Sequence, residues 1–229
     1  MENIFIILLG LTMVYISSTS RLKAHINMLK VQGFLLFIIC MLGLHNDSEL
    51  AAGIFNNSGI NFSYVIAIAF IIFETILIKA ILIPVFLHKV LKNTKVHRDT
   101  EAHIPHFYSL VISSAVLFLG FMTANIHTPD FNLISPIYFG VSISIIITSL
   151  WLITVKKTVL SNVISFITME NGIFLLSLAA AKDMPVIINM GVLLDLFIAV
   201  FILGMLVKEI NTEFSNLEVS KLSDLKDYE

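Results

Sequence analysis

Charged side chains are scarce in this chain. Asp, Glu, Lys and Arg make up 13% of its 229 residues, about half the share of a soluble domain. A water-exposed globular fold of this length is therefore excluded. The formal net charge is −2, so there is no basic surplus to neutralise a phosphate backbone, and nucleic acid is excluded as a partner. Cysteine occurs once, at Cys40 within an apolar run. A lone thiol closes no internal disulfide and holds neither a zinc finger nor an iron–sulfur cluster. Gly-rich phosphate loops, nucleophile elbows and zinc motifs are also missing. Any redox centre this chain serves must sit in another polypeptide. No Gly/Ser linker or compositional break divides the chain into soluble domains.

What is abundant is hydrocarbon. Hydrophobic residues reach 57%, Phe occurs 18 times, and mean hydropathy is +0.94. A bilayer core about 30 Å thick needs about 20 mostly apolar residues per helix. Segments of that kind span roughly 3–20, 28–44, 62–87, 107–126, 135–155, 158–181 and 186–207. The expected fold is all-α, a polytopic membrane bundle of about seven transmembrane helices. The first segment begins at Asn3 with no basic n-region and no cleavage site, so it reads as a membrane helix and not as a signal peptide.

Lysine and arginine positions set the expected orientation. Arg21, Lys23, Lys30, Lys89, Lys92, Lys95, Arg98, Lys156, Lys157, Lys208, Lys221 and Lys226 fall on one side if the segments alternate. The other side carries only Lys182, beside Asp47, Glu49, Asp130 and Asp183. The positive-inside rule then puts the N-terminus outside and the C-terminus in the cytoplasm. Tyr138 and Trp151, near opposite ends of the fifth segment, are expected as interfacial rings. The tail at 208–229 alternates charges among a few apolar residues and reads as a peripheral segment against a partner.

Four ionisable residues lie inside the segments: Glu74 and Lys79 in the third, Glu170 in the sixth and Asp195 in the seventh. A charge at a helix centre costs roughly 2.5–3.5 kcal/mol on insertion scales. The third segment, bounded by Asn61 and His88, centres between Glu74 and Thr75; the sixth, between Lys157 and Lys182, centres on Met169 and Glu170. Asp195 is central in the seventh. Across the turn at Lys182-Asp183-Met184-Pro185, Glu170 and Asp195 should differ in depth by only about 3 Å at 1.5 Å per residue. Gly191 and Ala199 flank Asp195 at four-residue spacing, a small-residue face that turns it into protein. Pro84 cannot donate to the carbonyl of Ala80, so a kink is expected beside Lys79. Lys79 lies about 7.5 Å along the axis from Glu74 and, in α geometry, on another face, so its partner should come from another helix or subunit.

A low dielectric disfavours the charged form of acids and amines alike and brings both towards proton exchange near neutral pH. The four residues are therefore candidates for proton transfer; the plainer alternative is that they glue helices together. His97, His103 and His106 match no common ligand spacing, so no metal site is expected. The Asn-x-Ser matches at Asn46, Asn56 and Asn61 come cheaply in an Asn- and Ser-rich loop.

From Lys156 onward the residues follow a pattern. The basic pair Lys156-Lys157 precedes Thr168-Met169-Glu170-Asn171-Gly172, a turn with Pro185, Gly191-Val192-Leu193-Leu194-Asp195, and Leu217-Glu218-Val219-Ser220-Lys221-Leu222. This resembles the hydrogenase-4 component E family, membrane subunits of energy-converting nickel–iron hydrogenases. The last three helices are in turn similar to the K subunit of respiratory complex I and the C subunit of multisubunit cation/proton antiporters. The resemblance is specific over 156–229 and extends to Lys79-Ala80 with Pro84. It implies that Glu170 and Asp195 correspond to the two intramembrane glutamates of the K subunit assigned to proton transfer, with Asp in place of Glu at the second. Asn189 stands where many relatives have an acid.

The resemblance implies a four-helix membrane region at 1–134, a K-subunit-like three-helix region at 135–207 and a cytoplasmic tail at 208–229. It also implies a subunit without a catalytic centre or cofactor of its own, in a prokaryotic cytoplasmic membrane. Expected partners are antiporter-like and complex I-like membrane subunits and peripheral hydrogenase subunits holding nickel–iron and iron–sulfur centres. Competing readings are a subunit of a cation/proton antiporter, a purely architectural subunit and a heptahelical receptor. A short N-terminal segment and acids at the midplane of the last hairpin stand against the receptor.

Overall fold

A computed structural model describes residues 2–46, 55–56, 59–60, 69, 72–93, 105–126 and 136–180. In chain order these form α1 (Glu2–Ser18), α2 (Leu22–Asn46), β1 (Phe55–Asn56), β2 (Gly59–Ile60), a π-helical stretch (Glu74–Leu82), α3 (Ile83–Asn93), α4 (His106–Ile126), α5 (Pro136–Val155) and α6 (Val159–Ala180). The fold is helical; β1 and β2 form a minimal antiparallel ladder, with Phe55 opposite Ile60. The chain divides into two compact units, Met1–Val192 and Leu193–Glu229, and every described residue belongs to the first. The helix expected at 186–207 and the tail lie outside the described residues.

Among the described residues, four helices are long and apolar enough to cross a membrane, over Leu22–Gly43, His106–Thr123, Pro136–Val155 and Leu160–Ala179. That is the mark of a membrane protein. α1 is a shorter apolar helix of 17 residues. It buries Ile6, Leu9, Met13 and Ile16 at helical spacing while leaving Ile4, Leu8, Leu11 and Tyr15 exposed. A helix apolar on every face belongs where both protein and lipid can cover it.

Two boundaries differ from the expected ones. α2 starts at Leu22, ahead of the expected 28, because its first turns are amphipathic. Leu22, His25, Ile26 and Leu29 are buried whereas Arg21, Lys23 and Lys30 are exposed, a pattern that a purely apolar window discards. The Arg21 carbonyl accepts from the N–H groups of Ala24 at 3.0 Å and His25 at 3.2 Å, and the His25 ring meets the Thr19 carbonyl at 2.8 Å. The third helical run passes 87 and ends at Asn93, with Leu87, Val90 and Leu91 buried and Lys89 and Lys92 exposed.

α5 and α6 share the most extensive interface; α4 lies on α5, and α1 touches α2, α4 and α5. α2 bridges to α6, the π stretch and α3. The core joins Leu9 and Met13 of α1, Leu36 and Ile39 of α2, Ile145 and Leu152 of α5, and Phe174 and Leu175 of α6. Tyr138, expected as an interfacial ring, belongs to this core at 9% exposure. The α5–α6 turn is closed by Thr158, whose hydroxyl oxygen accepts from the Ser161 N–H at 3.4 Å, as an N-cap does.

Small residues set the closest approaches. A Cβ at Gly33 of α2 would lie 2.8 Å from the Ala80 amide nitrogen and 2.9 Å from the Lys79 carbonyl carbon. Gly120 of α4 sits as tightly against Ser144 and the Gly140 carbonyl of α5. Backbone cannot swing aside as a side chain can. Gly33→Ala is expected to destabilise the chain by about 1–3 kcal/mol, the usual range for overpacking. Thermal unfolding in detergent should show a lowered Tm for Gly33→Ala and an unchanged one for Gly43→Ala, whose Cβ would meet, among the described residues, Glu2 Oε1 at an ordinary 3.6 Å.

Candidate functional site

Successive positions of α6 serve different neighbours. Residues 170 and 174 are four apart and share one face, which is turned towards the π stretch. Asn171, about 100° further round the helix, faces α2. Gly172 faces α5, where a Cβ would lie 2.9 Å from Ile145 Cγ2. One turn of helix thus fixes the distances to three elements.

On the first face, Glu170 meets Lys79. Lys79 Nζ lies 3.8 Å from Glu170 Oε1, with both side chains 2% exposed. The ammonium also stands over the ring of Phe174, 4.5 Å from its centroid. Neither charge can be held alone in such an interior, where the effective desolvation penalty reaches several kcal/mol per ion. Each helps to make the other tolerable there.

Lys79 is carried by the π stretch. The Ile83 N–H donates to the Ile78 carbonyl, a bond five residues back instead of four. The cause lies at Pro84, which lacks an N–H and whose ring would collide with the carbonyl four residues earlier. Wider winding moves that carbonyl away, so the irregularity expected beside Lys79 takes the form of a π-helical stretch.

On the second face runs a polar strap. Asn171 Nδ2 donates to Gln32 Oε1 at 3.1 Å, Gln32 Nε2 donates to Thr12 Oγ1 at 2.9 Å, and the Thr12 hydroxyl donates to the Leu9 carbonyl at 2.6 Å. This ties α6 to α2 and α2 to α1 through fully buried amides; Gln32 is 0% and Asn171 2% exposed. Asn171 Oδ1 is buried with no hydrogen-bond partner among the described residues. The hydroxyls of Ser165 and Thr168, also buried in α6, donate to the carbonyls of Ser161 and Ile164. They serve their own helix and do not extend the strap.

Of the candidates read from the sequence, Lys79 and Glu170 come together. Glu74 opens the π stretch, and Asp195 lies outside the described residues. Among the described residues, no three His, Cys, Asp or Glu side chains gather where a metal ion could be held; His97 and His103 lie outside them. Gln32 and Phe174 were not among the candidates read from the sequence, and Asn171 stood there only as part of the stretch 168–172. An amide in mid-helix of an apolar segment is itself a signal, because its polar atoms require partners. Phe174 gave none among 18 phenylalanines.

No known family profile matches the chain, and no solved structure matches it. A likeness to the uncharacterized protein Rv0085 of Mycobacterium tuberculosis extends over 84 residues at 25% identity, covering 37% of this chain and 38% of that protein. The chain therefore spans well under half the length of this relative.

The strap makes a quantitative expectation. Gln32→Leu leaves the Asn171 amide buried without its acceptor, at a cost of about 1–3 kcal/mol. Adding Asn171→Leu removes the stranded group and should recover part of that loss. A double-mutant cycle on unfolding free energy measures the coupling; strictly additive losses would show that the two amides do not act together.

Proposed function

We propose that this chain is a non-catalytic membrane subunit of a hydrogenase- or formate-hydrogenlyase-like complex, contributing to redox-coupled proton translocation. It would cross a prokaryotic cytoplasmic membrane about seven times, N-terminus outside and C-terminus in the cytoplasm. Nickel–iron and iron–sulfur centres would reside in peripheral partner subunits, with antiporter-like and complex I-like subunits beside this chain in the membrane. The groups proposed for proton transfer are Glu170, Asp195, Lys79 and Glu74, with Lys79 gating the relay by changing its charge. The resemblance to hydrogenase-4 component E supports the parent complex.

The observation that carries the proton role is the buried contact between Lys79 and Glu170. A proton added to Glu170 cancels the countercharge of Lys79. The ammonium then loses one of its attractions, and its position can change in response. The pair therefore couples the occupancy of one acid to the charge at its neighbour. Intramembrane ionisable groups commonly mark such pathways.

The same contact also favours an architectural reading, in which the pair only joins helices. Single variants cannot separate the two, since removing one partner strands the other at about 3–5 kcal/mol. Glu170→Gln alone is expected to lower proton translocation by about tenfold or more. The deciding variant combines Lys79→Met with Glu170→Gln, so that neither member of the pair is left charged opposite the other. The proton reading requires the double variant to assemble in the complex yet fail to translocate protons in inverted vesicles. Recovery of both assembly and translocation would leave only the architectural role. Mass spectrometry of the purified complex tests the parent assembly: subunits with nickel–iron or iron–sulfur ligands are expected, and antiporter subunits alone would make the chain part of a transporter.

A further inference from the structure

We propose that Phe174 is a positioning residue that keeps Lys79 at the relay while Glu170 changes charge. The inference rests on the reading of Glu170 as a proton carrier and adds to it a group that does not titrate. Charge-assisted N–H···O bonds run at about 2.7–2.9 Å; the Lys79–Glu170 separation is 3.8 Å. The ammonium therefore stands off from that carboxylate oxygen while lying 4.5 Å from the centroid of the Phe174 ring, within the roughly 6 Å reach of a cation–π contact. Phe174 is 1% exposed and is packed in the core cluster, so the ring cannot turn away from the cation without disturbing its neighbours.

The two attractions differ in what a proton does to them. The carboxylate's attraction disappears when Glu170 is protonated; the negative face of the ring remains. A benzene ring is no base and cannot take the proton itself. During the neutral phase of Glu170 the ring still draws the ammonium to this position, so that Lys79 is in place to meet the carboxylate again when the proton leaves Glu170. Leucine in its place would fill much of the space and supply no such field.

Two measurements on the full chain test this. In lipid nanodiscs with isotope-labelled lysine, the ε-methylene signal of Lys79, assigned through Lys79→Arg, should be shifted upfield by the ring. Phe174→Leu should return it to the ordinary lysine position. An unshifted signal, or one unchanged by Phe174→Leu, overturns the contact. In the intact complex, phenylalanines carrying one, two and three ring fluorines at 174 weaken the face progressively with little change of shape. Proton translocation into inverted vesicles should fall stepwise along the series, reaching about a tenfold loss for Phe174→Leu, while Phe174→Tyr retains most of it. A flat series overturns the positioning role, even where the upfield shift is present and Glu170→Gln still abolishes translocation. If the shift is present and Glu170→Gln translocates normally, the proton reading fails and takes the positioning role with it.

Discussion

A lysine and a glutamate cannot be taken out of water one at a time, and the packing around Lys79 and Glu170 follows from that. Their attraction offsets desolvation only if the two groups are held at a fixed separation. They come from elements far apart in the sequence, so the separation is set by backbone registers. Gly33 lets α2 press against the backbone at Lys79 and Ala80. Gly172 lets α6 press against Ile145 of α5. The Asn171–Gln32 bond then fixes the rotation of α6 about its own axis, and that rotation turns Glu170 and Phe174 towards the lysine. In a bilayer, where apolar contacts alone do not discriminate protein from lipid, such close backbone approaches and buried amides are what give helices a unique arrangement.

The π stretch is the other half of the same constraint. Proline at position 84 denies the helix a normal bond in the turn that carries Lys79. Widening the winding changes the phase of the side chains along the helix. The phase decides where position 79 points. Local backbone irregularity is tolerated at membrane depth only where protein covers it, and here the cover is α2, which packs along the stretch.

Much of this was legible in the sequence. The four long apolar helices announce themselves, as do Lys79 and Glu170, because charge amid a run such as the one around 160–180 has no ordinary explanation. Their mutual contact was not legible. It depends on a change of helical pitch that no periodicity in 74–82 reports, and on the rotation of α6, which is set by Gln32 from a distant segment. The start of α2 was misjudged for a related reason: Lys23 and Lys30 lie on its exposed side, and a charge count along the chain does not see sides. Phe174 was invisible because its role comes from where its ring stands, not from its residue type.

What surrounds the pair also decides what it can do. Among the described residues, the other buried titratable side chains include His25 and Lys156, one near the start of α2 and the other just beyond the end of α5, away from the pair. The strap beside Glu170 is made of amides and one threonine, groups that orient a helix but carry no charge to exchange at neutral pH. The hydroxyls of Ser165 and Thr168 are committed to their own helix. Along these faces, then, the amides and hydroxyls hold no charge to exchange at neutral pH. On the proposed reading this suits a relay, because one that could discharge sideways would waste the redox energy it conserves.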